Sequence, residues 1–171
     1  MPALAAQKFV EPFSRTRMTW IKPSFLWMMH RSAWGTKPDQ EVILAIDVAR
    51  DGFEWALDHA TLTAFSPHVH GSQEAWISQM KDMPVRVQWD PDRDVRMQKL
   101  PRRAIQVGFR AEAVARYVDE WALTITDVSA LALEIRALMD EGRLHEAQAR
   151  CPLEEGFPNE ARPQIALCSH L

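Results

Sequence analysis

Residues 85–109 run VRVQWDPDRDVRMQKLPRRAIQVGF, and the two ends of this stretch decide the fold class. In VRVQW, Val85, Val87 and Trp89 fall on one side while Arg86 and Gln88 fall on the other. In AIQVGF, Ile105, Val107 and Phe109 alternate with Ala104, Gln106 and Gly108. A period of two is the pleat of a half-buried strand. Two such strands separated by the turn-like DPDRD form a hairpin-like antiparallel pair.

Working outward, EVILAIDV at 41–48 is a nearly continuous apolar run dense in β-branched residues. That is the pattern of a strand covered on both faces, so Val42–Val48 is expected as a third, central strand. Helical signals surround these strands. Residues 1–16 read as a short helix or arm, apolar-rich over Ala3–Val10 and stopped near Pro12. Pro23 sits where a first helical residue would, ahead of about three turns ending before Gly35. Asp51 caps a helix to about Ala60, Ser66–Ser72 is turn-rich, and a short helix follows from Ser72 to Met80. Arg110–Trp121 and Asp127–Glu141 are helical, the second stopped by Gly142. The expected fold is α+β: a small, mostly antiparallel sheet packed against three or four helices. A chain of 171 residues fits one such domain, placed at 1–155, with an irregular tail over 156–171.

Composition excludes several classes. With 47% hydrophobic and 25% charged residues the chain is globular rather than disordered. A net charge of −3 supplies no bulk basic field for DNA or an anionic membrane. Arginine dominates the basic residues, and its planar fork suits phosphate and carboxylate, although a GC-rich genome produces the same bias. Cys151 and Cys168 lack zinc-ligand spacing and read as free thiols in a reducing compartment. With no signal-peptide pattern and no long apolar window, the cytoplasm is the expected location. The six glycines form no GxGxxG, P-loop or GxSxG pattern, which argues against a Rossmann dehydrogenase, a P-loop NTPase and an α/β-hydrolase.

Asp90, Asp92 and Asp94 imitate the start of an EF-hand loop, but Val95 and Pro101 stand where glycine and glutamate are required. A Pro-Asp turn with Arg93 as ion-pair partner is expected instead. His68 and His70 have no third ligand placed by the sequence, so no metal is expected. The most unusual segment is RMTWIKPSFLWMMHRSAWGTK at 17–37, in which Trp20, Trp27 and Trp34 recur every seven residues. On a helix, Ser24, Trp27, Arg31 and Trp34 share a face. They form either core packing, with Arg31 held by a carboxylate, or a pocket wall in which Lys22, Ser24 and Arg31 hold an anion. Arg86, Gln88 and Gln106 form a polar row beside Gly108, where a ligand could approach the backbone. A solvated sheet face explains the same pattern.

The segments RMTWIKPSFLWMMHRSAWGTK, QEVILAIDVARDGFEWAL, PVRVQWDPDRD, RAIQVGFR and YVDEWALTITDVS together resemble the domain of unknown function 4291 family over Phe9 to Glu155. The resemblance implies no catalytic residues. Members of that family usually begin with a further segment containing an Arg-Ala-x-Tyr-like element and a strand resembling Val-Tyr-Gln-Ala-Tyr. Its absence here implies a start codon placed late or a lost first strand. The pattern is also loosely similar to ADP-ribosyltransferase-like folds, a similarity of fold rather than site.

Two functions follow as expectations. One is an enzyme binding a nucleotide-type ligand, with NAD as a possible cofactor for ADP-ribosyl transfer. There Trp20 and Trp27 stack on the base, Lys22, Arg31 and Arg86 neutralise phosphate, and Ser24, Gln88 and Gln106 complete the pocket. The other is a non-enzymatic module that binds protein or RNA through exposed Trp and Arg.

Overall fold

The computed structural model describes residues 1–157 together with Arg162 and Ile165. The order of elements is α1 (Pro2–Ala6), β1 (Thr19–Ile21), α2 (Phe25–Ser32), β2 (Leu44–Val48), α3 (Arg50–Asp58), β3 (Ala60–Leu62), α4 (Pro67–His70), α5 (Gln73–Asp82), β4 (Val85–Arg93), β5 (Lys99–Phe109), α6 (Glu112–Arg116), β6 (Ala122–Asp127), α7 (Ser129–Asp140) and α8 (Leu144–Arg150). A π-helical turn, Tyr117–Trp121, joins α6 to β6. The fold is α+β, as the alternation of the hairpin strands requires. Among the described residues no helix is long and apolar enough to cross a membrane.

The hairpin β4–β5 is the spine of the molecule. It pairs Val85 with Phe109, Val87 with Val107 and Gln88 with Gln106. Flanking strands extend it to the order β1-β5-β4-β3, with β3 parallel to β4 and the other pairs antiparallel. DPDRD does not make the turn. Strand β4 continues through Arg93, and the chain reverses over 94–98, where Asp94 Oδ1 accepts from the Gln98 N–H at 2.8 Å. Met97 takes a positive φ of 63° there.

The run at 41–48 does not join this sheet. Its strand pairs antiparallel with β6, Ile46 opposite Ile125, in a separate two-stranded sheet. The hydrophobic residues of the run are divided between two places. Ile43, just before the strand, is buried in one hydrophobic cluster, whereas Ile46 and Val48 pack against another, and Ala45 and Asp47 are exposed. A continuous apolar run therefore imitated a strand covered on both faces.

Those two clusters organise the fold. The first holds Leu57, Val85, Val87, Val107, Phe109 and Tyr117 beneath the four-stranded sheet. The second holds Met29, Trp34, Ile43, Val95, Ile135 and Ala147 between α2, α7 and α8. The base of the hairpin lies in the first and its tip, Val95, in the second. Between them is a waist formed by Trp89–Asp92 and Arg102–Ile105.

Candidate functional site

The site is built at that waist. Pro23 follows β1, and Ser24, in an extended conformation, caps α2: its Oγ accepts from the Trp27 N–H at 3.3 Å. Such caps are worth about 1 kcal/mol. The helix therefore begins after Ser24 rather than at Pro23, and has eight residues. The Ser24 hydroxyl donates to Asp92 Oδ1 at 3.0 Å. Its proton and a lone pair are both engaged, so it positions the carboxylate.

Asp92 is nearly fully buried, at 4% exposure. Besides Ser24, it accepts from the Arg93 backbone N–H at 2.8 Å and from Arg102 Nε at 2.7 Å. Its ion-pair partner is thus Arg102 across the hairpin, while Arg93 donates from its guanidinium to the Met97 carbonyl. Burial alone would raise the Asp92 carboxyl. The donors of Arg102, Arg93 and Ser24 outweigh burial and hold it below the usual carboxylate range.

Glu154, beyond α8, reaches the same place and accepts from the Phe25 N–H through Oε1 at 2.6 Å. Burial pushes its carboxyl up, and neighbouring Asp92 adds to the effect. Two carboxyl groups with opposed displacements thus face one another, an arrangement in which one stays ionised while the other exchanges a proton.

These groups line a cleft of about 550 Å³. Its apolar walls are Phe53, Leu57, Trp89, Ile105 and Phe157, and its polar end carries Ser24, Asp92, Arg102, Arg103 and Glu154. Size, apolar walls and a few convergent polar groups are the attributes of a small-molecule site. A smaller hollow of about 360 Å³ between α2 and α7 is lined by Met29, Trp34, Met97 and Met139. Its Arg136 is already bonded to the Ala33 carbonyl and Thr36. Among the described residues no group of three or more His, Cys, Asp or Glu is arranged to hold a metal.

The residues singled out from sequence separate into three groups. Ser24 alone lines the cleft. Trp20, Lys22, Trp27, Gln88 and Gln106 gather on the outer sheet face around Asp90, which accepts from Gln88 Nε2 at 3.1 Å and Gln106 Nε2 at 2.7 Å. The Lys22 ammonium lies 5.5 Å from the centre of the Trp27 ring. Burial lowers its pKa, Arg31 adds to this and Asp90 opposes it. Because Lys22-Pro23-Ser24 and Asp90-Pro91-Asp92 run side by side, this polar face continues into the cleft. Arg86 stands apart from both, and Arg31 lies at the margin of the outer face, near enough to Lys22 to act on its charge. Arg86 is buried and donates to the carbonyls of Met80 and Met83 at the end of α5, its pKa lowered by burial and by Arg110. Arg31 is exposed and, among the described residues, hydrogen-bonds to Gln40, at 3.4 Å.

Trp34 is not on the helical face with Trp27, because Ala33 and Trp34 take φ of 51° and 59° and end the helix. His68 is exposed, while His70 is buried and its Nδ1 bonds to the Ser66 backbone at 3.0 Å. Cys151 is a free thiol, and Cys168 lies outside the described residues. Sequence reasoning missed Glu154, Arg102 and Arg103. The signal available was the RR pair at 102–103 facing Asp92 across a hairpin of known register.

Fold and site together define an α+β protein with a small-molecule-sized cleft at the waist of its hairpin. The chain belongs to the family described as Domain of unknown function (DUF4291), which it matches over residues 1–157. No curated protein and no solved structure matches it.

Proposed function

We propose that the protein is an enzyme acting on a small nucleotide-type ligand bound in the waist cleft. The observation that carries this reading is the Asp92–Glu154 pair, with Arg102 and Ser24, at the polar end of an otherwise apolar cleft. A flat base packs against Trp89 and Phe157, while Arg103, together with the exposed guanidinium of Arg102, meets phosphate oxygens. Asp92 stays ionised and orients Arg102, and Glu154, with its raised pKa, exchanges the proton. NAD is among the ligands that fit this description, and ADP-ribosyl transfer is the reaction class it brings. The cytoplasm is the compartment that suits a free Cys151 thiol and such a ligand.

The test is isothermal calorimetry and thermal shift with NAD, ADP, sugar phosphates and short RNA, on the wild type and on Arg103→Glu. Binding of NAD or ADP that Arg103→Glu weakens at least about tenfold, as loss of a charge-assisted contact does, supports the reading. Binding of RNA with a steep salt dependence, and of no small molecule, replaces it with the binding-module alternative.

A further inference from the structure

Beyond α8 the segment Cys151–Phe157 has no regular structure, and Pro152 to Phe157 are exposed as whole residues, although the Glu154 carboxyl itself is turned inward onto the Phe25 N–H. Leu153 turns its whole side chain to solvent, at 101% exposure. Among the described residues this stretch is held at two places. Near its start, Glu154 accepts from the Phe25 N–H at 2.6 Å. At its end, the Phe157 ring packs edge-on against Phe53 with centroids 5.1 Å apart, and the Arg50 guanidinium lies 5.4 Å from its centroid. The first anchor is on α2 and the second on α3, and Leu153–Phe157 line the cleft between them. At Gly156, between the anchors, an added Cβ would meet nothing within 4 Å.

A segment that buries so little and is held, among the described residues, only at its two ends belongs to the low-stability end of a fold, where local opening is cheap. Its Glu154 anchor is also electrostatically opposed. Across the cleft it faces Asp92 from β4 and Arg102 and Arg103 from β5. On its own segment it neighbours Glu155 and the Cys151 thiol. Arg102 is bonded to Asp92, which leaves Glu154 to the Phe25 N–H.

We propose that Leu153–Phe157 is a strap across the waist cleft, latched by Glu154 on the first turn of α2 and by Phe157 on α3, and that it releases to admit the ligand. The gating part rests on the cleft being the ligand site; the latch itself does not. The sign of its pH response follows from linkage. Glu154 has a raised pKa when latched, so the latched form binds its proton more tightly than the released form does. Acid closes the strap, and rising pH through that raised value loosens it.

The experiment is hydrogen exchange at the Phe25 N–H, which Glu154 accepts, read by NMR on the full chain at fixed pH, with ADP titrations in parallel. Glu154→Ala and Arg50→Ala speed that exchange by about fivefold, the scale of one lost contact, and Arg50→Ala, outside the cleft lining, tightens ADP binding. Glu154→Gln, a neutral isostere of the protonated form, slows exchange. Phe25 exchange unchanged in Glu154→Ala overturns the latch. Faster exchange with ADP affinity unaltered overturns gating. Faster exchange with no ADP binding in any variant supports the latch and sinks the ligand reading of the cleft instead.

Discussion

The indole of Trp20 lies over Gly108. The two residues pair across β1 and β5, and a Cβ built on Gly108 would come within 2.9 Å of three atoms of the ring. The space above this glycine, which sequence reasoning offered to a ligand, is filled by the protein itself. Gly108→Ala therefore destabilises the fold by about 1–3 kcal/mol, the scale of overpacking, measured by urea denaturation. Combining it with Trp20→Ala gives less than the sum of the two losses, since the clash is removed; strict additivity would show that the indole does not cover Gly108.

Arg86 is a structural cation. Its guanidinium donates to carbonyls at the end of α5, where Arg110 Nη1 also reaches the Met80 carbonyl at 3.1 Å. Arg86→Met leaves those carbonyls under-satisfied and costs about 3 kcal/mol in denaturant unfolding, whereas ligand affinity in the residual folded protein is unchanged. Reduced affinity with intact stability would return Arg86 to the binding site.

Arg31→Ala, by contrast, changes stability by no more than about 0.5 kcal/mol, because the side chain is exposed and its hydrogen bond to Gln40 is long. Affinity for any nucleotide is also unaltered. Calorimetry showing lost binding in Arg31→Ala would move the ligand from the waist to the outer sheet face.

Asp92→Asn costs about 2 kcal/mol, mainly through the buried donors of Ser24 and Arg93. The largely exposed Arg102 contributes little of that loss. The folded pKa of Asp92 is depressed. Its contribution is therefore fully present above the ordinary aspartate value of about 3.9 and is lost as pH falls through the folded value. Stability measured from neutral pH down to about pH 3 falls less steeply in Asp92→Asn than in the wild type. Parallel curves would mean that Asp92 is not held ionised by these donors.

Much of the fold was legible in the sequence. Strands Val85–Trp89 and Ala104–Phe109 announced themselves because a two-residue period has no helical reading, and Ser72 and Gly142 marked the start of α5 and the stop after α7 as their chemistry requires. Three-residue strands such as Thr19–Ile21 and Ala60–Leu62 are too short to show a period. The strand Ala122–Asp127 follows helical signal so closely that its alternation was hidden.

What the sequence by itself determined was the α+β class, the hairpin and its family, since these rest on local periodicity and on motifs contiguous in the chain. The site was decided by tertiary structure alone. Ser24 and Asp92 are 68 residues apart, and Phe25 and Glu154 are 129 apart. Only the packing of two hydrophobic clusters around one hairpin brings them within hydrogen-bonding distance. Their protonation follows from the burial and neighbours that this packing creates, and no local pattern encodes either.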